Sequence, residues 1–72
     1  MENMYSVSMC ATSDTYVYGI YRFDGEHVRL AELSLSEVRE LNGGVRNNAD
    51  ALVWLNANAG EVFDRVESFE II

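Results

Sequence analysis

Lysine and proline are absent from this chain, and cysteine and histidine occur once each, as Cys10 and His27. Each shortage closes off a class of function. A single cysteine forms no disulfide within the chain, and one Cys with one His is half a metal site at most. All five basic residues are arginines, set against twelve Asp and Glu, for a net charge of -7 over 72 residues. Phosphate backbones are bound by Lys and Arg that neutralise them, so the surface has the wrong sign for direct nucleic-acid binding. Anionic membranes are disfavoured for the same reason. No apolar run approaches the roughly 20 residues of a membrane span. Met1-Glu2-Asn3-Met4-Tyr5 lacks the basic start and apolar stretch of a signal peptide. The lone thiol fits a reducing compartment. A cytoplasmic protein is expected.

What is present argues for a folded domain. The hydrophobic fraction is 49%, too high for a disordered chain despite the charge. The length allows one domain, spanning residues 1–72, which buries only about 60% of its unfolded surface. Without disulfides or metals, such a body needs an efficient core or self-association. Its rings (Tyr5, Tyr16, Tyr18, Tyr21, Phe23, Trp54, Phe63 and Phe69) favour the efficient core.

The first third reads as strands. From Met4 to Ala11, Tyr5, Val7, Met9 and Ala11 alternate with Ser6 and Ser8, the period of a half-buried strand. Thr12-Ser13-Asp14 has turn chemistry. Thr15 to Phe23 is a second strand with two apolar faces, Val17, Tyr21 and Phe23 on one and Tyr16, Tyr18 and Ile20 on the other. Asp24-Gly25 is a hairpin signal leading to a third strand, from about Glu26 to Leu33. Ser34-Leu35-Ser36-Glu37 matches a capping box, and Leu35, Val38 and Leu41 form a helix face that Asn42-Gly43-Gly44 ends with a left-handed glycine. Asn47 or Asn48 caps a second helix with the stripe Ala51, Leu52, Leu55 and Ala59, stopped at Gly60. Residues 61–72 fit helical spacing through Val62, Val66 and Phe69, but their β-forming types favour a strand. The expected architecture is α+β, in the order β-β-β-α-α-β: an antiparallel sheet of about four strands with two short helices on one face. Two short helices cover only one face, so the Tyr16, Tyr18 and Ile20 face is covered by the C-terminal segment or exposed as a docking or dimerisation surface.

No residue cluster specifies a reaction. A Cys10/His27 pair across strands lacks an orienting group and a basic or helix-start setting to activate the thiol. The carboxylate pairs Glu37/Glu40 and Asp64/Glu67 read as solvated faces. Asp24-Gly25-Glu26 lacks the twelve-residue ligand ladder of a calcium loop. Asn42-Gly43-Gly44-Val45-Arg46 lacks the Lys-Ser/Thr of a phosphate loop. A non-enzymatic protein without cofactor or metal is expected. Trp54 is a core anchor or an interface anchor.

The acidic residues fall into three groups: Asp24 and Glu26 at a hairpin tip, Glu37 and Glu40 on the outer side of the first helix, and Glu61, Asp64, Glu67 and Glu70 along the C-terminal segment. In size, charge and lack of catalytic residues, the whole chain resembles small phage-encoded inhibitors of bacterial defence, the anti-CRISPR and anti-restriction proteins. These share no common fold and no motif, so no site residue carries over. The resemblance implies action in a host cytoplasm on a basic protein surface that normally holds nucleic acid. Asp24, Glu26, Glu37, Glu40, Asp64, Glu67 and Glu70, with the aromatic pair Tyr16 and Tyr18, are the expected partner-binding residues. The alternative is a homo-oligomeric adaptor joined through Tyr16, Tyr18 and Ile20.

Overall fold

A computed structural model describes residues 3–11, 16–66 and 68–71, and for 68–70 the backbone alone. The chain is α+β, as its patterning predicts. Strands β1 (Met4–Ala11), β2 (Tyr16–Phe23) and β3 (Val28–Ser34) come first. Helices α1 (Leu35–Leu41), α2 (Asn48–Ala57) and α3 (Ala59–Arg65) follow, then a short strand β4 (Ser68–Glu70). The sheet is antiparallel in the order β1-β2-β3-β4. The turn expected at Thr12-Ser13-Asp14 lies outside the described residues.

The expected order β-β-β-α-α-β is corrected near its end. Residues 61–65 are helical, so three helices precede the last strand. Periodicity explains the outcome. Ala59, Val62 and Phe63 are buried and Val66 is half-buried, at the spacing of one helix face. A strand would have set Asp64 between Val62 and Val66 on the same face. Gly60 is therefore inside a helix and not its stop; α2 ends earlier, at Asn58. A methyl group on Gly60 would stand 3.6 Å from the Tyr5 ring, an ordinary contact. Gly60→Ala should therefore stabilise the chain by about 0.5–1 kcal/mol, read from urea unfolding.

Register decides which sheet face is covered. β1 pairs Met4 with Phe23 and Ala11 with Tyr16, and β2 pairs Val17 with Ser34 and Phe23 with Val28. Directly opposed residues share a face. Tyr5, Val7 and Met9 thus lie on the side of Tyr18, Ile20, Ala31 and Leu33. The helices close over this side, where Tyr18 and Ile20 are fully buried with Val38, Leu55 and Val62. Of the two alternatives for the Tyr18 and Ile20 face, exposure is overturned: it is covered, in part by Val62 and Phe63 of the C-terminal segment and also by α1 and α2. Val17, Tyr21 and Phe23 face away from the helices.

The capping box is present. Ser34 accepts from Glu37 N at 3.2 Å, and Glu37 Oε1 accepts from Ser34 N at 2.9 Å. Ser34→Ala should cost about 1 kcal/mol in thermal or urea unfolding. Asn47 caps α2 by accepting from Asp50 N. No left-handed glycine follows α1. Asn42 is extended, and its side chain accepts from Gly44 N instead. Among the described residues only Gly25 has a positive φ, 102°, in the loop between β2 and β3.

Candidate functional site

The carboxylates divide by what the fold asks of them. Asp24 Oδ1 accepts from Glu26 N at 2.9 Å and His27 N at 2.8 Å, closing the hairpin loop. The bond from His27, then that from Glu26, holds the Asp24 carboxyl below the usual carboxylate range. Glu37 is engaged in the cap of α1, and Asp50 Oδ2 accepts from Arg46 N at 3.3 Å. Glu26, Glu32, Glu40, Glu61 and Asp64 are all exposed, and none of their carboxylates forms a hydrogen bond or ion pair among the described residues.

The arginines do little to offset them. Arg22 lies over the Phe63 ring, 4.8 Å from its centroid, beside the edge-on contact of Phe63 with Tyr5. Arg39 donates to the Arg46 carbonyl at 3.0 Å. No charged side chain among the described residues is buried, so the negative charge lies at the surface, where it acts on partners.

The expected acidic groups are distributed around the body and not gathered on one face. Asp24 and Glu26 stand at the hairpin tip, Glu37 and Glu40 on α1, and Glu61 and Asp64 on the outer side of α3. Glu67 lies outside the described residues, as does the side chain of Glu70, whose backbone pairs with Arg29. Tyr16 is 38% exposed, at the end of β2. Tyr18 is removed as a docking residue: its ring is in the core, and its hydroxyl donates to Asn48 Oδ1 at 2.6 Å. Burial is the main force pushing the Tyr18 hydroxyl pKa up, with Tyr16 adding to it.

The sheet face away from the helices carries the features that sequence reading missed. Met4, Tyr21, Phe23 and Val28, with Tyr5 and Ser6, line a shallow apolar groove at the hairpin end. Met4 is 67% and Phe23 42% exposed. Glu32 belongs to the same face, opposite Gly19, whose missing side chain would meet Leu30 and Ser8. The alternation of Val28, Leu30 and Glu32 along β3 is the signal that could have found it. Trp54 is half-buried, as its reading as a core anchor expects. It packs against the core while lining a second groove with Val45, Asp50 and the 71% exposed Val53.

The other candidate chemistries do not converge. Cys10 pairs with Val17 at one end of β2, and His27 precedes Val28, the partner of Phe23 at the other. Six residues of strand separate these ends, about 20 Å. Among the described residues no group of three or more His, Cys, Asp or Glu could hold a metal ion. No helix among them is long and apolar enough to cross a membrane. No family model matches the chain, and neither a curated protein nor a solved structure shows significant similarity to it.

Proposed function

We propose that this chain is a non-catalytic, acidic protein-binding module that inhibits a host defence protein by docking on its basic nucleic-acid-binding surface. The observation that carries the reading is that Glu26, Glu32, Glu40, Glu61 and Asp64 are exposed, with carboxylates that make no hydrogen bond or ion pair among the described residues. Carboxylates left free on a body of net charge -7 can take the place of phosphates. The target's Arg and Lys then supply charge-assisted hydrogen bonds, and long-range attraction speeds the encounter.

The open sheet face is the docking surface that best joins charge to apolar contact. Tyr21, Phe23, Val28 and Met4 form its apolar centre, with Asp24 and Glu26 at one end and Glu32 beside it. Interfaces concentrate their binding energy in such aromatic anchors, and charged rims set partner choice and on-rate. A basic groove on the partner matches this sign; a second copy of the same acidic face does not. The test is binding to CRISPR effector complexes and restriction enzymes, with their own nucleic acid as competitor. Mutual exclusion supports the proposal. Simultaneous binding of the chain and nucleic acid, or no binding across the panel, counts against it.

A further inference from the structure

The border of the sheet at β1 differs from the rest of the molecule. β1 is an outermost strand, with β2 on one side only. Among the described residues, its backbone makes no hydrogen bond other than those of the β2 ladder. In an antiparallel ladder alternate residues turn their N–H and C=O away from the neighbour, so this edge presents a row of unpaired donors and acceptors. Natural edge strands are usually shielded by shortness, a bulge, proline or an inward charge. β1 has none of these: it runs for eight residues, MYSVSMCA, in unbroken register. It is also the one element without a charged residue. Every other strand and helix carries at least one.

We propose that β1 pairs with β1 of a second copy of this chain, antiparallel about a two-fold axis, so that one continuous sheet runs through both copies. The strand is self-complementary in that arrangement. An axis through Val7 sets Tyr5 against Met9 of the copy, Ser6 against Ser8 and Met4 against Cys10. Tyr5 and Met9 then meet on the helix-covered side, and on the open side the two serines meet at the centre with Met4 and Cys10 opposed beyond them. A register displaced by one residue sets apolar residues against serines and turns the two helix layers to opposite sides of the sheet. Charge favours the same border. Two bodies of net charge -7 repel, and β1 is where they can pair backbones without setting carboxylate against carboxylate. The interaction is isologous and closed, so it stops at the dimer. A pairing through one strand edge belongs among the smaller, weaker interfaces.

The experiment is sedimentation of the full chain from micromolar to millimolar concentration. The wild type should pass from its 8.1 kDa monomer to twice that mass. The double variant Ser6→Glu, Ser8→Glu sets like charges against one another across the axis and should raise the dimer Kd about ten-fold or more. Its circular dichroism should be unchanged, because both serines are exposed. Phe23→Ser, on the open sheet face, should dimerise like the wild type. Amide exchange of the wild type is a second readout that depends on no variant: protection within residues 4–10 should rise with concentration. A wild type that stays monomeric at millimolar concentration overturns the proposal. So does an edge variant that associates as tightly as the wild type, or a mass that doubles while β1 protection stays constant.

Discussion

Tyr18→Ala should lower the unfolding free energy by about 3–5 kcal/mol, a larger loss than that of any other single substitution proposed. Tyr18 is fully buried at the centre of β2, between Met9 and Leu33 on the neighbouring strands. Truncating a buried aromatic ring costs about 3–5 kcal/mol through lost transfer energy and the cavity left behind. The substitution also removes the donor to Asn48 Oδ1 and loosens the start of α2. A domain of 72 residues has a total stability of about 4–11 kcal/mol, so the loss takes much or most of it. Tyr18→Phe separates the two contributions. It keeps the ring and loses only the hydroxyl bond, for about 1 kcal/mol. Urea unfolding followed by far-ultraviolet circular dichroism measures both.

The pH dependence follows from the same environment. Burial raises the Tyr18 pKa in the folded state above its unfolded value. The neutral hydroxyl therefore supports the fold fully below about pH 10, and that support is lost as pH climbs through the raised folded value. Tyr18→Phe should remove this component of alkaline destabilisation. An equal alkaline loss in both proteins would show that Tyr18 is not its source.

The second large effect concerns binding. Replacing Glu26, Glu32, Glu40, Glu61 and Asp64 by Gln or Asn removes five of the twelve acidic charges. None of the five carboxylates forms a hydrogen bond or ion pair among the described residues, so unfolding free energy should move by less than about 0.5 kcal/mol at each position. Affinity for the basic partner should fall by two orders of magnitude or more. Glu26 and Glu32 lie at the proposed docking face, where each close charge pair couples by about 1.5 kcal/mol or more; Glu40, Glu61 and Asp64, on the helices, act through the long-range field. Asp24 and Glu37 are kept, because their carboxylates serve the hairpin loop and the helix cap. The loss should appear mainly as a slower association rate at low salt, measured by stopped flow or surface-bound kinetics. A variant with unchanged on-rate and affinity would contradict the proposed role of the carboxylates.

The residues that made the fold legible were those whose chemistry acts locally. Ser34 and Glu37 form their reciprocal cap wherever the helix lies, and the Tyr5, Val7, Met9 alternation defines a strand face without reference to its neighbours. What was not legible depended on pairing. The two faces of β2 are about equally apolar, so composition could not choose between them. The choice lay in the connections. Residues 12–15 separate β1 from β2 and residues 24–27 separate β2 from β3, both even in length. Paired ends then set odd positions of β1 against even positions of β2, and those against odd positions of β3. Tyr5 and Tyr21 therefore cannot share a core face, and Tyr18 must lie with Val7, Met9 and Leu33. In the C-terminal segment, the β-forming types of Val62 and Phe63 are outweighed by a helical period that begins at Ala59, ahead of residue 61. As for the candidate site, the acidic groups at the hairpin tip and on α1 could be read in advance because loops and helix surfaces are solvated by default. The apolar groove of Met4, Tyr21, Phe23 and Val28 was hidden by the same uncertainty over β2.

The most direct measurement is the salt dependence of the proposed complex between this chain and a CRISPR effector or restriction enzyme. Free carboxylates facing a basic groove predict an affinity that falls steeply as sodium chloride rises past the point where the Debye length shrinks below about 10 Å, with a shallower slope for the five-carboxylate variant. A Kd that stays constant across the salt series, and equal for both proteins, would contradict the account.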